Sequence, residues 1–244
     1  MAKPATLGPA LTPTMLRFRA QVAMRPPQRH GRDRAIRVLN FCVALVALIL
    51  TAPLMAVVAL LVKASSRGPV IYKQPRVGLD RRQSRGSGAL SHRRKADQGG
   101  RIFTIYKFRT MYADHRQTPR QVWASANDPR ITPVGRVLRS FRLDELPQLF
   151  NVLKGDMNIV GPRPEQPAIF EGLRQELHTY RKRQRVLPGI TGLAQITLPY
   201  DTSINDVKHK VDLDLEYIKR RSVGHDLLIM AKTMPVMVLR KGWM

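Results

Sequence analysis

The 244 residues, at 27.7 kDa, give room for one compact domain with extensions and exclude a large multidomain assembly. Lys and Arg number 42 against 17 Asp and Glu, a formal charge of +25 that calls for an anionic partner: nucleic acid, phospholipid headgroups or a phosphorylated substrate. One cysteine, Cys42, excludes an internal disulfide framework and a cysteine-based zinc site; the histidines are scattered without metal-ligand spacing, and no repeat or sustained heptad appears.

Residues 1–31 hold prolines at positions 4, 9, 13, 26 and 27 among basic side chains and read as a basic, disordered tail able to lie on anionic lipid. Residues 38–62 then run for 25 positions without a charge, bounded by Arg37 and Lys63. As a helix this run reaches about 37 Å at roughly 1.5 Å per residue, against a hydrocarbon core of about 30 Å, so residues 32–64 are expected to enter a membrane. Both flanks are basic, with eight Lys/Arg against one acid over residues 1–37 and seven against one over 63–85. Cytoplasmic flanks are the basic ones, so both ends favour the same side. Pro53 lies near the middle and frees the carbonyl of Ile49. A helix that bends at Ala52-Pro53 and returns to its side of entry meets both observations; an ordinary kinked span meets the second.

The remainder, residues 65–244, reads as a single domain on the cytoplasmic face. Val70–Tyr72 and Ile102–Phe108 are β-rich enough for two short strands, separated by a Gly/Ser-rich, basic surface loop over residues 79–100. Leu143–Leu153 is apolar on one side. Ile169, Leu173, Leu177 and Tyr180 recur at helical spacing, as do Ile204, Val207, Val211, Leu215 and Ile218. Pro188-Gly189 and Thr191-Gly192 punctuate the segment between them. Leu227–Leu239, with Pro235 inside, is apolar enough for core or for a membrane-surface helix. The expected class is α+β, helix-dominated, with a small β-sheet and no alternating βαβ pattern.

With acids so scarce, their placement is informative. Asp144-Glu145 is the one adjacent acidic pair in the chain and lies between Arg139 and Arg142 upstream and Pro147 downstream. Proline is tolerated in a first helical turn, so the pair is expected to open a helix. There it would satisfy the helix dipole and need do nothing else. Its surroundings permit more: Gly155-Asp156-Met157 adds a further acid close by, and Gly161-Pro162-Arg163-Pro164 would fix one guanidinium in a rigid turn. Arginines and helix N-termini grip phosphate oxygens, and opposite charges would keep a carboxylate ionised among them. A carboxylate nucleophile attacking phosphorus needs that setting. The second acid could hold Mg²⁺, which would offset repulsion between an anionic nucleophile and a diphosphate. Walker A, GxGxxG and GxSxG motifs are absent, which disfavours a P-loop nucleotidase, a Rossmann dehydrogenase and an α/β-hydrolase.

Several motifs occur in fixed order: residues 66–78 (SRGPVIYKQPRVG), 106–111 (YKFRTM), 143–149 (LDELPQL), 151–157 (NVLKGDM), 161–164 (GPRP) and 188–192 (PGITG). On these the chain resembles, over about residues 33–240, the bacterial sugar transferases, small monotopic phosphoglycosyl transferases that begin exopolysaccharide and related glycan assembly. The resemblance implies transfer of a sugar 1-phosphate from a UDP-sugar to polyprenyl (undecaprenyl) phosphate, with Mg²⁺ and release of UMP. It also implies a re-entrant membrane helix broken at Pro53, in the bacterial inner membrane with its site at the cytoplasmic face. By motif position, Asp144 would form an aspartyl-phosphosugar intermediate, Glu145 would hold Mg²⁺, and Arg139 and Arg163 would bind phosphate. Lys107 and Asp226 match further active-site positions. The chain departs from the family in its longer 79–100 loop, in Ala52 where serine often precedes the proline, and after Gln195, where Ile-Thr-Leu-Pro replaces a polar Gly-Arg-Asn.

Two other classes compete. A basic module binding nucleic acid or lipid would leave the apolar run idle, and with 6% aromatic residues and no nucleic-acid fold signature no nucleic-acid partner is expected. A membrane phosphohydrolase would use the same acids but let water resolve the intermediate. The sugar, the glycan pathway and any self-association are left open.

Overall fold

The computed structural model describes residues 30–80, 98–112, 128–198 and 204–238. Nearly all of the expected basic tail and most of the 79–100 loop lie outside the described residues. The elements run α1 (His30–Ser65), β1 (Ile71–Val77), β2 (Ile102–Phe108), α2 (Pro133–Ser140), a 3₁₀ turn (Leu143–Glu145), α3 (Gln148–Lys154), β3 (Asn158–Val160) and α4 (Pro167–Glu176). A second 3₁₀ segment (Tyr180–Arg185), β4 (Gly189–Thr191), α5 (Leu193–Thr197), α6 (Ile204–Arg220) and α7 (Val223–Val238) complete the chain. The fold is helix-dominated with small sheets, as the sequence implies.

The uncharged run folds as the 36-residue α1, about 54 Å long at roughly 1.5 Å per residue. Only 11% of its most apolar stretch is buried, so it is not the core helix of a soluble protein. Val38, Ile49, Leu50 and Leu60 are 62, 64, 75 and 72% exposed, giving it the length and surface of a membrane anchor. The helix continues through Pro53, so any bend there is accommodated without interrupting it.

One stripe of α1 packs on the domain along both halves. Ala44, Ala47 and Leu48 meet Phe103, Leu149 and Val152. Beyond Pro53, Met55, Val58, Ala59 and Val62 meet Phe108, Leu138 and Leu146. Polar ties lie at either end. Arg37 donates to the carbonyls of Val152 at 2.6 Å and Leu153 at 2.9 Å, supplying carbonyls that lack helical donors at the end of α3 with a cationic partner. Arg109 donates to the carbonyls of Val62, Ser66 and Pro69 at 3.1, 2.7 and 2.7 Å.

Strands β1 and β2 pair antiparallel, from Ile71 opposite Phe108 to Val77 opposite Ile102. Strand β1 runs five residues past its expected end and includes Pro75. A proline is tolerated because β1 is an edge strand with β2 its single partner. A second pair, β3 with β4, is parallel, with α4 and the second 3₁₀ segment in the crossover. It is a single parallel unit and not the alternating βαβ pattern the sequence lacks. Its strands are three residues long, too short to show a period of two in sequence.

Candidate active site

The acidic pair does not open a regular α-helix. It forms a 3₁₀ turn, Leu143–Glu145, followed by Pro147 at the cap of α3. Arg142, just before it, has φ 54° and ψ 21°, the left-handed conformation that side chains with a Cβ rarely adopt. Such backbone strain costs of order 1–3 kcal/mol and gathers at functional sites. It turns the chain sharply, so that Asp144 and Glu145 both face inward, 8 and 7% exposed.

Three other elements bring cations to the pair. Lys107, near the end of β2, donates to Glu145 Oε1 at 2.8 Å and lies 4.0 Å from Asp144 Oδ2. Arg163 reaches the same Glu145 oxygen at 2.7 Å and donates to Gln195 Oε1 at 3.2 Å. Arg139, on α2, donates to Thr110 Oγ1 at 2.9 Å, and its charge acts on Asp144. Helix α2 is aimed by its start: Thr132 accepts from the Gly135 amide at 2.9 Å, and Pro133 occupies the first turn.

Arg163 is held by close backbone packing. The Gly189 amide donates to the Pro162 carbonyl at 3.0 Å, and a Cβ on Gly189 or Gly192 would collide with the backbone of Gly161. Arg76 donates to the Pro164 carbonyl at 3.0 Å. Beneath lies Glu165, which burial pushes up but the charges of Lys210, Arg183, Arg76 and Arg163 hold below the usual carboxylate range.

The two acids are not equivalent. Burial would raise Glu145, yet Arg163 and Lys107, by charge and by hydrogen bond, hold it well below the ordinary glutamate value. Asp144 is raised, by burial first and by the neighbouring Glu145 charge, against the pull of Lys107. The sequence expectation that opposite charges lower the pKa of a carboxylate among them therefore describes Glu145 and not Asp144, because Lys107 and Arg163 make their short contacts with Glu145.

An acid pair in a strained turn, with Lys107, Arg139 and Arg163 brought to it from three separate segments of the chain, sits inside a stretch, residues 32–240, that matches the bacterial sugar transferase family. The chain belongs to the bacterial sugar transferase family. Among related members, the UDP-N-acetylgalactosamine-undecaprenyl-phosphate N-acetylgalactosaminephosphotransferase of Aeromonas hydrophila is 41% identical over 197 residues, covering 81% of this chain and 42% of that protein. The undecaprenyl-phosphate glucose phosphotransferase of Komagataeibacter xylinus is 38% identical over 221 residues, covering 88% and 38%. The UDP-glucose:undecaprenyl-phosphate glucose-1-phosphate transferase of Caulobacter vibrioides is 36% identical over 212 residues, covering 86% and 72%. The chain thus spans about two fifths of the length of the first two relatives.

Two candidate residues stand apart from the pair. Asp226 is fully buried at the start of α7. Its Oδ1 accepts from the Tyr217 hydroxyl at 2.9 Å, Asn40 is a further hydrogen-bond partner, and the charges of Arg221 and His225 act on it. Asn40 also accepts from the Ile159 amide at 2.5 Å, so the cluster ties α1 to α7 and β3. Asp156 faces Arg101 at 3.7 Å and the Arg37 charge. It lies near in sequence because α3 is short, but Gly155, at φ 82°, ends that helix and turns the chain away.

Sequence reasoning did not assign Gln195, which orients Arg163, or Arg76 and Glu165, which lie behind it. Arg76 stood inside a quoted motif; Gln195 and Glu165 are single polar residues whose roles depend on the parallel β3–β4 pair.

Proposed function

We propose that the protein is a membrane-bound phosphoglycosyl transferase that moves a sugar 1-phosphate from a UDP-sugar to polyprenyl phosphate, undecaprenyl phosphate in bacteria. The observation that carries this reading is the inequality of the two acids: Glu145 bound to two cations, Asp144 left with a free share of its charge. A carboxylate oxygen of Asp144 attacks the phosphorus bearing the sugar. The bond from that phosphorus to the bridging oxygen breaks, and UMP leaves with the oxygen and its electron pair. A phosphate oxygen of the polyprenyl phosphate then attacks the same phosphorus, releasing the Asp144 carboxylate and giving the lipid-linked diphosphosugar. Arg163, Lys107 and Arg139 hold the phosphate oxygens in place and offset their charge.

The donor set suits Mg²⁺, a hard cation that takes one or two carboxylates and completes its shell with substrate phosphates. Both cation contacts on Glu145 fall on Oε1, and Glu145 with Asp144 would hold the ion. Bound there, it would supply positive charge against the diphosphate.

Helix α1 fits a re-entrant anchor better than a span: its apolar stripe packs on one domain on both sides of Pro53, and basic residues flank both ends. On this reading the site works at the cytoplasmic face of the inner membrane, at the first membrane step of exopolysaccharide or related glycan synthesis. The test is UMP release from a panel of UDP-sugars with polyprenyl phosphate and Mg²⁺. Wild type releases UMP and leaves a sugar phosphate on the protein when acceptor is withheld. Asp144→Asn loses both, by about 10⁴-fold in rate, while keeping the wild-type circular dichroism. Near-normal turnover in that variant would end the mechanism.

A further inference from the structure

Beside the acid pair lies a pocket that the transfer chemistry leaves unassigned. It is a small cleft, holding about 90 Å³ of space and partly open to its surroundings. Its body is walled by Leu146, Leu149, Ile190, Ile196 and Val236, and its mouth by Arg142, Glu145 and Gln195.

Two threonines, Thr191 and Thr233, also face it, and their hydroxyls are already spent. Thr233 donates to the Ile229 carbonyl at 2.8 Å. Its single proton being used, it accepts from Thr191 at 2.9 Å. Both side chains therefore offer the pocket methyl groups and no free donor. A uracil ring or a sugar, whose carbonyl and hydroxyl oxygens must replace lost hydrogen bonds with water, finds no donor on this wall. A hydrocarbon needs none.

The mouth has the opposite character. Gln195 accepts from Arg163, and since a guanidinium can only donate, the amide is fixed with its nitrogen turned away. That buried Nε2 has no partner among the described residues. It is a donor beside the cations that would hold a phosphate.

The body of the pocket also backs onto the membrane helix. Leu149 and Ile190 share one apolar cluster with Ala44, Ala47 and Leu48 of that helix, and Leu146 shares another with Val58 and Val62. Met234, next to Thr233, is 63% exposed, carrying the apolar surface out along α7. A phosphate at one end, a dry aliphatic slot behind it and a lipid-facing helix against its wall match one chemistry, a phosphorylated isoprenoid.

Building on the transferase reading, we propose that this pocket is the acceptor site, seating the first isoprene units of polyprenyl phosphate between α5 and α7 with their phosphate at Gln195. The donor nucleotide binds outside it.

The test uses the full chain in lipid nanodiscs and a polyprenyl phosphate carrying a diazirine near its phosphate end. On irradiation the label falls on α5 or the second half of α7, at Ile196 or Val236, and unlabelled polyprenyl phosphate displaces it while UDP-sugar does not. Label confined to the exposed face of α1, or displaced by UDP-sugar, overturns the proposal. Val236→Asp, which puts a charge in the slot, raises the acceptor KM about tenfold and leaves the donor KM within about twofold. Ile196→Ala, a milder change that keeps the fold, shifts the acceptor KM in the same direction. A rise in donor KM with the acceptor KM unchanged overturns the proposal as well. The labelling needs no turnover: wild type that takes label in the pocket but releases no UMP defeats the transferase reading and leaves the site standing.

Discussion

Two buried carboxylate–arginine clusters sit side by side in this protein, and only one is complete. Arg183 and Asp214 are 0 and 3% exposed. Each nitrogen of the guanidinium has a partner: Nε donates to Asp214 at 2.7 Å, and its two terminal nitrogens donate to the Tyr180 hydroxyl at 2.6 Å and the Arg163 carbonyl at 3.1 Å. The Asp144–Glu145 cluster shares its short cation contacts unequally, is entered through a left-handed arginine, and opens onto a pocket. Both have about the same ingredients. The closed cluster is finished by protein groups and serves the fold, whereas the open one has a carboxylate and a donor, Gln195 Nε2, waiting for a ligand. The two are also joined, because Arg183 holds the backbone of Arg163, which reaches Glu145.

The strongest way to break this contrast is to open the closed cluster. Arg183→Met leaves Asp214 buried without its cation, a loss of about 3–5 kcal/mol. Thermal unfolding in detergent then shifts down by roughly 10 °C, at about 2–4 °C per kcal/mol for a chain of this size. Adding Asp214→Leu restores most of it. A single variant as stable as wild type would remove the pair from its structural role.

Less drastic is the effect of Glu145→Gln on the open cluster. Removing that charge takes away the repulsion on Asp144 and frees Lys107 and Arg163 to pair with it, so the Asp144 pKa falls. In wild type the raised value means that Asp144 takes up its proton at a higher pH than a free aspartate, near 3.9. Activity therefore declines as pH drops through that raised value. In Glu145→Gln the acid limb of the residual rate moves to lower pH, and the dependence on Mg²⁺ weakens. An acid limb that stays put would show that Glu145 does not set the charge state of Asp144, and an unchanged metal titration would remove it from ion binding.

The smallest effect is expected at Arg142. Glycine adopts a left-handed conformation without the Cβ clash, so Arg142→Gly relieves about 1 kcal/mol of strain, partly offset by the entropy of a freer unfolded chain. The melting temperature rises by a degree or two, while turnover falls because the mouth of the pocket loses its cation. A melting temperature that falls instead would mean that the arginine side chain contributes more than its backbone costs.

Much of this site is legible in the chain itself. Asp144-Glu145 stands out as an adjacent acidic pair in a strongly basic protein, Lys107 and Arg163 lie in short motifs of fixed order, and Arg139 stands five residues before the first acid. The structure brings all five together. Asp156 shows the limit of that reasoning, since nearness in sequence says nothing about which way the chain turns after Gly155. Asp226 shows it too: its role hangs on Tyr217 and Asn40, which arrive from other helices.

Composition and hydrophobic patterning alone determine that residues 38–62 cannot stay in water, that the rest is largely helical, and where the scarce acids lie. These are local properties, because the cost of exposing a run of aliphatic side chains or of placing a proline depends little on what is far away. Which oxygen receives which cation was decided only by tertiary structure. Charge interactions fall off with distance and strengthen with burial, so Glu145 is held ionised and Asp144 is pushed up by placements of a few ångströms. Those placements come from a three-residue parallel strand pair and a strained turn too short to leave a pattern in the sequence.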